Sequence, residues 1–177
     1  MSEYPRSVCT TERLTIAPIS LDDGEFVCEL VNTPGWLKNI GDRGVGNPEE
    51  AKAFLERGYL KSQKEHGFGY YVARDKNSTP VGVVGFLQRP YLEFPDLGFA
   101  LLPEFSGIGL AFEMANGVLE YGLNTFRFTA IDAAALPTNT PSIRLLERLN
   151  FHHLGEVQTP EQDTLLLFRY QSSSKKF

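Results

Sequence analysis

Apolar residues recur along the chain with two periods, near 2 and near 3.6, and the switches between them mark out its elements. Glu12 to Ile19 reads as a first strand, and Leu21 to Val31 as a helix with Phe26, Val27, Leu30 and Val31 on one side. Thr33 to Gly46, rich in glycine and carrying Pro34, reads as an irregular loop around Trp36. Asn47-Pro48-Glu49-Glu50 combines three helix-start signals: a capping Asn, a Pro at the first helical position and a Glu three residues after the cap. That helix is expected to run to about Glu65, with Ala51, Phe54, Leu55 and Tyr59 facing inward.

Phe68 to Arg74 and Val81 to Gln88 then read as two strands around a turn at Asp75-Lys76-Asn77-Ser78. Asp96 to Leu102 is a further strand, stopped by Pro103. From Gly107 to Tyr121 the period becomes helical, through Ala111, Met114, Ala115, Val118 and Tyr121. Gly117 inside it costs about 1 kcal/mol relative to Ala, so packing must hold this helix. Phe126 to Ala134 is a strand, Thr140-Pro141 opens a helix with Ile143, Leu146 and Leu149 buried, and Phe151 to Val157 and Thr164 to Tyr170 finish as strands. The order β-α-α-β-β-β-α-β-α-β-β predicts one α/β domain on a mixed sheet. Only Met1 to Thr10 and Ser172 to Phe177 read as loose ends.

Composition narrows the function. The 177 residues, 42% apolar and 22% charged, suit a single globular domain. A net charge of −5 and the lack of a basic stripe argue against general nucleic-acid binding. The N-terminus has no apolar signal core, and no stretch approaches the roughly 20 apolar residues that span a bilayer. Cys9 and Cys28 form neither a CxxC pair nor a disulfide framework, and His66, His152 and His153 are not spaced as zinc ligands. No metal is expected, and a reducing cytoplasm is the expected setting.

The chemistry concentrates in Leu97 to Glu113, LGFALLPEFSGIGLAFE: a strand, a Pro stop, then Gly107-Ile108-Gly109 opening a helix. Glycines let a ligand approach the backbone, and unpaired amides at a helix start favour an anion such as pyrophosphate. The same residues also read as an ordinary tight turn. A dinucleotide fingerprint would need a third glycine at position 112, where Phe112 stands, so a nucleotide-dependent oxidoreductase is disfavoured.

Four segments in order resemble the GNAT acetyltransferases, in particular the branch similar to the RimJ/RimL ribosomal-protein N-terminal acetyltransferases. They are Thr11, Arg13, Leu14 and Ile16; Ile40 to Val45 (IGDRGV); Gly98 to Glu113; and Asn139 to Phe151, an N-x-x-S-I-R-x-L-E-x-L-x-F run. The resemblance covers about residues 11–170. It implies the GNAT fold, a mostly antiparallel mixed sheet splayed at its centre with helices on both faces. It also implies an acetyl-CoA cosubstrate and a primary amine acceptor, either a small molecule or a protein N-terminus. A homodimer is left open. Against the family pattern, Glu104, Ile108 and Phe112 depart from the usual Gln or Arg, basic and small residues, and Asn150 stands where Gly is usual.

The resemblance assigns Asp96 to Leu102 and Phe126 to Ala134 to the walls of a cleft for the pantetheine arm. A β-bulge is expected to aim an amide from among Phe99, Ala100 and Leu101 at the thioester oxygen. The backbone of Ser106, Gly107, Ile108, Gly109, Leu110 and Ala111 is expected to hold the pyrophosphate. Asn139 is expected on a pantetheine amide and Ser142 as proton donor to the departing sulfur, although Thr138 to Ser142 also read simply as a helix start with Thr140 as its cap. Glu161 and Asp96 are the candidate general bases, and either also reads as a solvated surface carboxylate. Trp36, Asp42 and Arg43 are expected to border the acceptor, with Trp36 alternatively a packing anchor. A catalytically weak CoA-binding or regulatory module is the competing reading, motivated by Glu104, Ile108 and Phe112.

Overall fold

The computed structural model describes residues 6–173; of the expected loose ends Met1 to Thr10 and Ser172 to Phe177, the parts Met1 to Pro5 and Ser174 to Phe177 lie outside them. The predicted first strand, Glu12 to Ile19, is the shorter β2 (Thr15–Pro18), and the segment up to Thr10 that read as a loose end supplies its hairpin partner, β1 (Cys9–Thr10). Thr11 closes the turn: its amide donates to the Leu14 carbonyl at 2.8 Å and its hydroxyl accepts from the Leu14 amide at 3.2 Å. Side-chain bonding of this kind competes with strand pairing, which is why the chain turns between β1 and β2 there.

A short 3₁₀ turn, Leu21–Asp23, precedes helix α1 (Gly24–Val31). The supposed irregular loop contains helix α2 (Pro34–Asn39), started by the Thr33 hydroxyl accepting from the Trp36 amide with Pro34 as first residue. Asn47 caps α3 (Pro48–Arg57) as expected, its side chain accepting from the Glu50 amide. The long helix, however, breaks at Gly58, whose φ of −115° and ψ of −84° end α3 and start α4 (Tyr59–His66).

Strands β3 (Tyr70–Arg74), β4 (Pro80–Leu87) and β5 (Asp96–Leu101) follow in antiparallel order. β4 is buried from Val81 to Leu87, as a central strand covered on both faces should be. Helix α5 (Leu110–Thr125) extends four residues past its predicted end, so β6 begins only at Ala130 and runs to Ala135. Helix α6 (Thr140–Arg148) and strands β7 (His152–Gln158) and β8 (Thr164–Gln171) complete the chain. Asn150 adopts φ +66° behind α6, a left-handed position that Asn tolerates in place of Gly.

The eight strands form one sheet in the order β1-β2-β3-β4-β5-β6-β8-β7, with β5–β6 its parallel pair. Each face carries its own core. Met114, Ala115 and Val118 of α5 and Leu145 and Leu146 of α6 pack with Ile16, Tyr71, Phe86, Ile131 and Phe168 on one side. Val27, Leu30, Leu55 and Tyr59, from α1, α3 and α4, pack with Tyr70, Val72, Val83 and Leu87 on the other. These helices cover the β2–β4 half of that second face.

Candidate active site

The sheet opens where β5 meets β6. Those two strands pair at one position, Asp96↔Asp132, and then part. β4 and β5, by contrast, stay in unbroken register from Leu87↔Asp96 to Gly82↔Leu101. The bulge expected in β5 is therefore absent, and it is not needed. In an antiparallel pair successive residues turn their N–H and C=O groups to opposite sides. Leu102 donates to Val81 on the β4 side (2.9 Å), and Pro95 accepts from the Asp132 amide on the β6 side (2.9 Å). By alternation the Ala100 amide faces β4, while the amides of Phe99 and Leu101 face the gap that β6 leaves.

Beyond β5 a 3₁₀ turn (Pro103–Phe105) leads to the glycine loop. Gly107 and Gly109 adopt φ of +80° and +84°, so both glycines are required by conformation. Gly109 is the N-cap of α5 and supplies no side-chain bond; the Glu113 amide is the first to find a helical acceptor, the Gly109 carbonyl at 3.1 Å. The amides of Leu110, Ala111 and Phe112 are thus the uncapped donors of a 16-residue helix, whose dipole favours an anion there. The Ser106 amide already donates to Pro103 at 3.1 Å, which leaves Ser106 its hydroxyl.

Thr11 and Arg13 brace this loop. Arg13 donates through Nη1 to the Ile108 carbonyl at 2.8 Å and through Nε to Glu113 Oε2 at 2.7 Å. The Arg13 amide and the Thr11 hydroxyl both reach Glu113 Oε1, at 2.7 and 2.6 Å. Partial burial acts to raise the Glu113 carboxyl, but these donors outweigh it and hold the group below its ordinary value. Two of the three unusual residues leave the loop open: Glu104 and Ile108 are exposed. The third, Phe112, packs on the first core with the Arg148 guanidinium 4.4 Å above its ring.

At α6 the cap is Asn139, not Thr140. Its side chain accepts from the Ser142 amide at 3.4 Å, and Pro141 takes the second helical position. The Ser142 hydroxyl, half-buried, makes no hydrogen bond among the described residues.

On the second face, Asp96 receives the Arg89 Nε at 3.3 Å on one oxygen, and 14% of its side chain reaches solvent. Burial raises its carboxyl and the Asp132 charge adds to this, while Arg89 opposes both; the net position is about 6. Tyr59 and Tyr70 stack 4.1 Å apart, and Arg89 and Arg43 act electrostatically on both hydroxyls and on Tyr91. The Tyr70 hydroxyl lies over Gly98, where any Cβ would collide with it. Arg43 and Asp42 are exposed, Asp42 folding back to accept from the Gly44 amide at 2.8 Å. Glu161, also exposed, sits in the β7–β8 turn within electrostatic reach of Tyr91. Trp36 is 5% exposed and belongs to the second core, so it is a packing anchor here.

Residues 13–152 match the family described as the acetyltransferase (GNAT) domain. This chain belongs to the GNAT acetyltransferases. Among its relatives, the Bacillus subtilis N-acetyltransferase YnaD is 28% identical over 146 residues, covering 82% of this chain and 83% of its own. RimL, the ribosomal L7/L12 alpha-N-protein acetyltransferase solved with coenzyme A, shares the fold with a TM-score of 0.80 at 15% identity, over 94% of this chain and 98% of that one. The spermidine N-acetyltransferase of Vibrio cholerae, solved with CoA and spermine, superposes with a TM-score of 0.76 at 16% identity, over 92% and 98%.

From its single contact with β6, β5 leads past Pro103 into the glycine loop, and Asp96, Arg43 and Glu161 all lie within electrostatic reach of Tyr91. Sequence reasoning gave Tyr59 only an inward-facing position and did not single out Tyr70, Arg89 or Tyr91, because polar-tipped aromatics look like core and a lone Arg between two strands carries no pattern. It also missed the bracing role of Arg13 and Glu113, 100 residues apart, although Thr11 and Arg13 carried part of the family resemblance.

Proposed function

We propose that this enzyme transfers the acetyl group of acetyl-CoA to a primary amine by direct attack in a ternary complex. The supporting observation is the single β5–β6 contact at Asp96↔Asp132: past it lie two amides facing the gap, then two positive-φ glycines and a helix start with no side-chain cap. Strand amides, a conformationally demanding loop and a helix dipole together suit a pantetheine arm followed by a pyrophosphate. When bound, acetyl-CoA supplies an activated carbonyl. The Phe99 and Leu101 amides face the gap where negative charge on its oxygen needs donors, an arrangement worth on the order of 10²–10³ in rate per donor elsewhere. The backbone from Gly107 to Ala111, with the Ser106 hydroxyl, holds the pyrophosphate, and Asn139 lies beside the arm at the start of α6. The free Ser142 hydroxyl donates to the departing sulfur.

Asp96 is the better base of the two carboxylates. Its raised position near 6 lets it stay largely ionised at neutral pH and still accept a proton. It takes that proton through water from the amine. Glu161 and Arg43 then border the acceptor. A protein α-amine, near 7.7–8.0, is roughly one-tenth neutral at pH 7, whereas an alkyl amine near 10.4 costs over 3 kcal/mol more to deprotonate. A base of this strength suits the α-amine, the acceptor class in RimL's description; the Vibrio enzyme's spermidine is the alternative small-molecule class.

The glycine loop provides the test. A Cβ on Gly107 meets nothing within 4 Å, so Gly107→Ala adds only the left-handed strain of about 1–2 kcal/mol and leaves a folded chain. Calorimetry with acetyl-CoA is expected to show at least tenfold weaker binding. Gly67→Ala is the control: φ is +77° there, space is open, and the glycine ends α4 far from the loop in sequence. Equal affinity in both variants would reduce Gly107-Ile108-Gly109 to a turn.

A further inference from the structure

Asp132 is 0% exposed, a rare place for a carboxylate, and every hydrogen bond it makes is to a neighbour of the cleft apex. Arg169 grips it at two points, Nε to Oδ1 at 2.7 Å and Nη2 to Oδ2 at 3.2 Å, and the Phe94 amide donates to Oδ2 at 3.2 Å. Arg169 is itself fixed: Nη1 contacts Glu93 at 3.2 Å and its guanidinium lies 4.5 Å over the Phe94 ring. Fully buried and with three donors engaged, Asp132 is closed to an approaching amine and is unsuited to proton transfer. Yet it is the register partner of Asp96 at the one position where β5 and β6 touch. Neighbouring strands lie about 4.8 Å apart and register partners share a face, so the two carboxylates stand side by side.

We propose that Asp132, partly neutralised and locked by Arg169, is a positioning residue: it fixes the apex of the cleft and strengthens Asp96 as a proton acceptor. Resting on the assignment of Asp96 as base, the idea divides the labour between two carboxylates. Arg169 makes a charge tolerable in the closed part of the sheet, where removing one partner of a buried pair is costly. Asp132 then presents that charge to Asp96, which keeps one oxygen without a partner among the described residues. The other charged and titratable groups acting on Asp96 are Arg89 from the β4–β5 connection, Tyr70 from β3 and Tyr91, with Tyr59 from α4 and Arg43 reaching Tyr70 behind them. Burial raises the proton affinity of Asp96 first; Arg89 works against it and Asp132 adds to it, so Asp132 tunes a group that burial has already raised.

The experiment follows the Asp96 carboxyl directly, by ¹³C NMR titration of the full chain with ¹³C-labelled aspartate, Asp96→Asn serving to assign the signal. Asp132→Asn keeps the shape of the side chain and removes its charge. Its Asp96 midpoint is expected to fall by about 1 pH unit, a tenfold loss of proton affinity. Arg169→Lys keeps a cation but loses the two-point grip, leaving Asp132 less neutralised; its midpoint is expected to rise. A purely structural pair would not give shifts of opposite sign. Unmoved midpoints, or shifts in one direction for both variants, overturn the proposal. The reading of Asp96 as base fails separately, if Asp96→Asn retains full acetyl transfer to an N-terminal peptide amine while the Asp132→Asn shift persists.

Discussion

Replacing Asp96 by Asn should make the protein more stable at neutral pH while removing its activity. In the folded chain the Asp96 carboxyl stands near 6, against an ordinary 3.8. A group whose proton affinity is raised on folding favours the native state below its unfolded value and loses that contribution as pH rises through its folded value. The window is therefore about pH 4 to 6. Two units at 1.36 kcal/mol each give about 3 kcal/mol. Because 14% of the side chain still reaches solvent, about 2 kcal/mol is the expected size. Asn has no charge to desolvate. Urea unfolding at pH 7.5 should show Asp96→Asn more stable than the wild type by that amount, and at pH 3.5 the gap should close. The reasoning is refuted if the variant is the less stable at pH 7.5, or if the difference does not change with pH.

Two further substitutions probe the loop and the leaving group. Ser142→Ala should lower turnover by about 10- to 1000-fold with little change in acetyl-CoA affinity, since the bond strengthens only as charge develops on sulfur. The α6 start should survive, because Asn139 accepts from the backbone amide of residue 142; single-turnover rates check this. Glu113→Gln removes the charged acceptor of Thr11 and Arg13, and should weaken acetyl-CoA binding about tenfold in calorimetry by freeing Arg13 from the glycine loop.

Elements governed by local chemistry were legible from the chain. Asn47-Pro48 announced α3, and Pro103 with Gly107 and Gly109 announced the end of β5 and the start of α5. Errors arose where one residue's bonding decided between alternatives. Gly58 was readable as a tolerated helix glycine, and only its backbone angles split α3 from α4. The six residues of α2 carry too little periodicity to distinguish them from a glycine-rich loop. The two residues of β1 carry no periodicity and read as part of a loose end, and the Thr11 turn is what pairs them with β2. In the site, Gly107 and Gly109 were legible because their demand is conformational. The opening between β5 and β6 entered through family resemblance, since no pattern within either strand reports its neighbour. The environment of Asp96 was illegible for the same reason: Asp132 and Arg169 lie 36 and 73 positions along the chain, and register alone brings them together.

Release of free CoA thiol tests the account most directly. Purified protein is mixed with acetyl-CoA and, in separate reactions, an N-terminally free peptide, its N-blocked counterpart carrying a lysine, and spermidine. The account predicts amine-dependent thiol release, fastest with the free α-amine, rising as pH passes 6 and lost in Asp96→Asn. Acetyl-CoA that binds with no amine-dependent release from any of the three would contradict acetyl transfer to these amine classes and favour a CoA-binding module on the same fold.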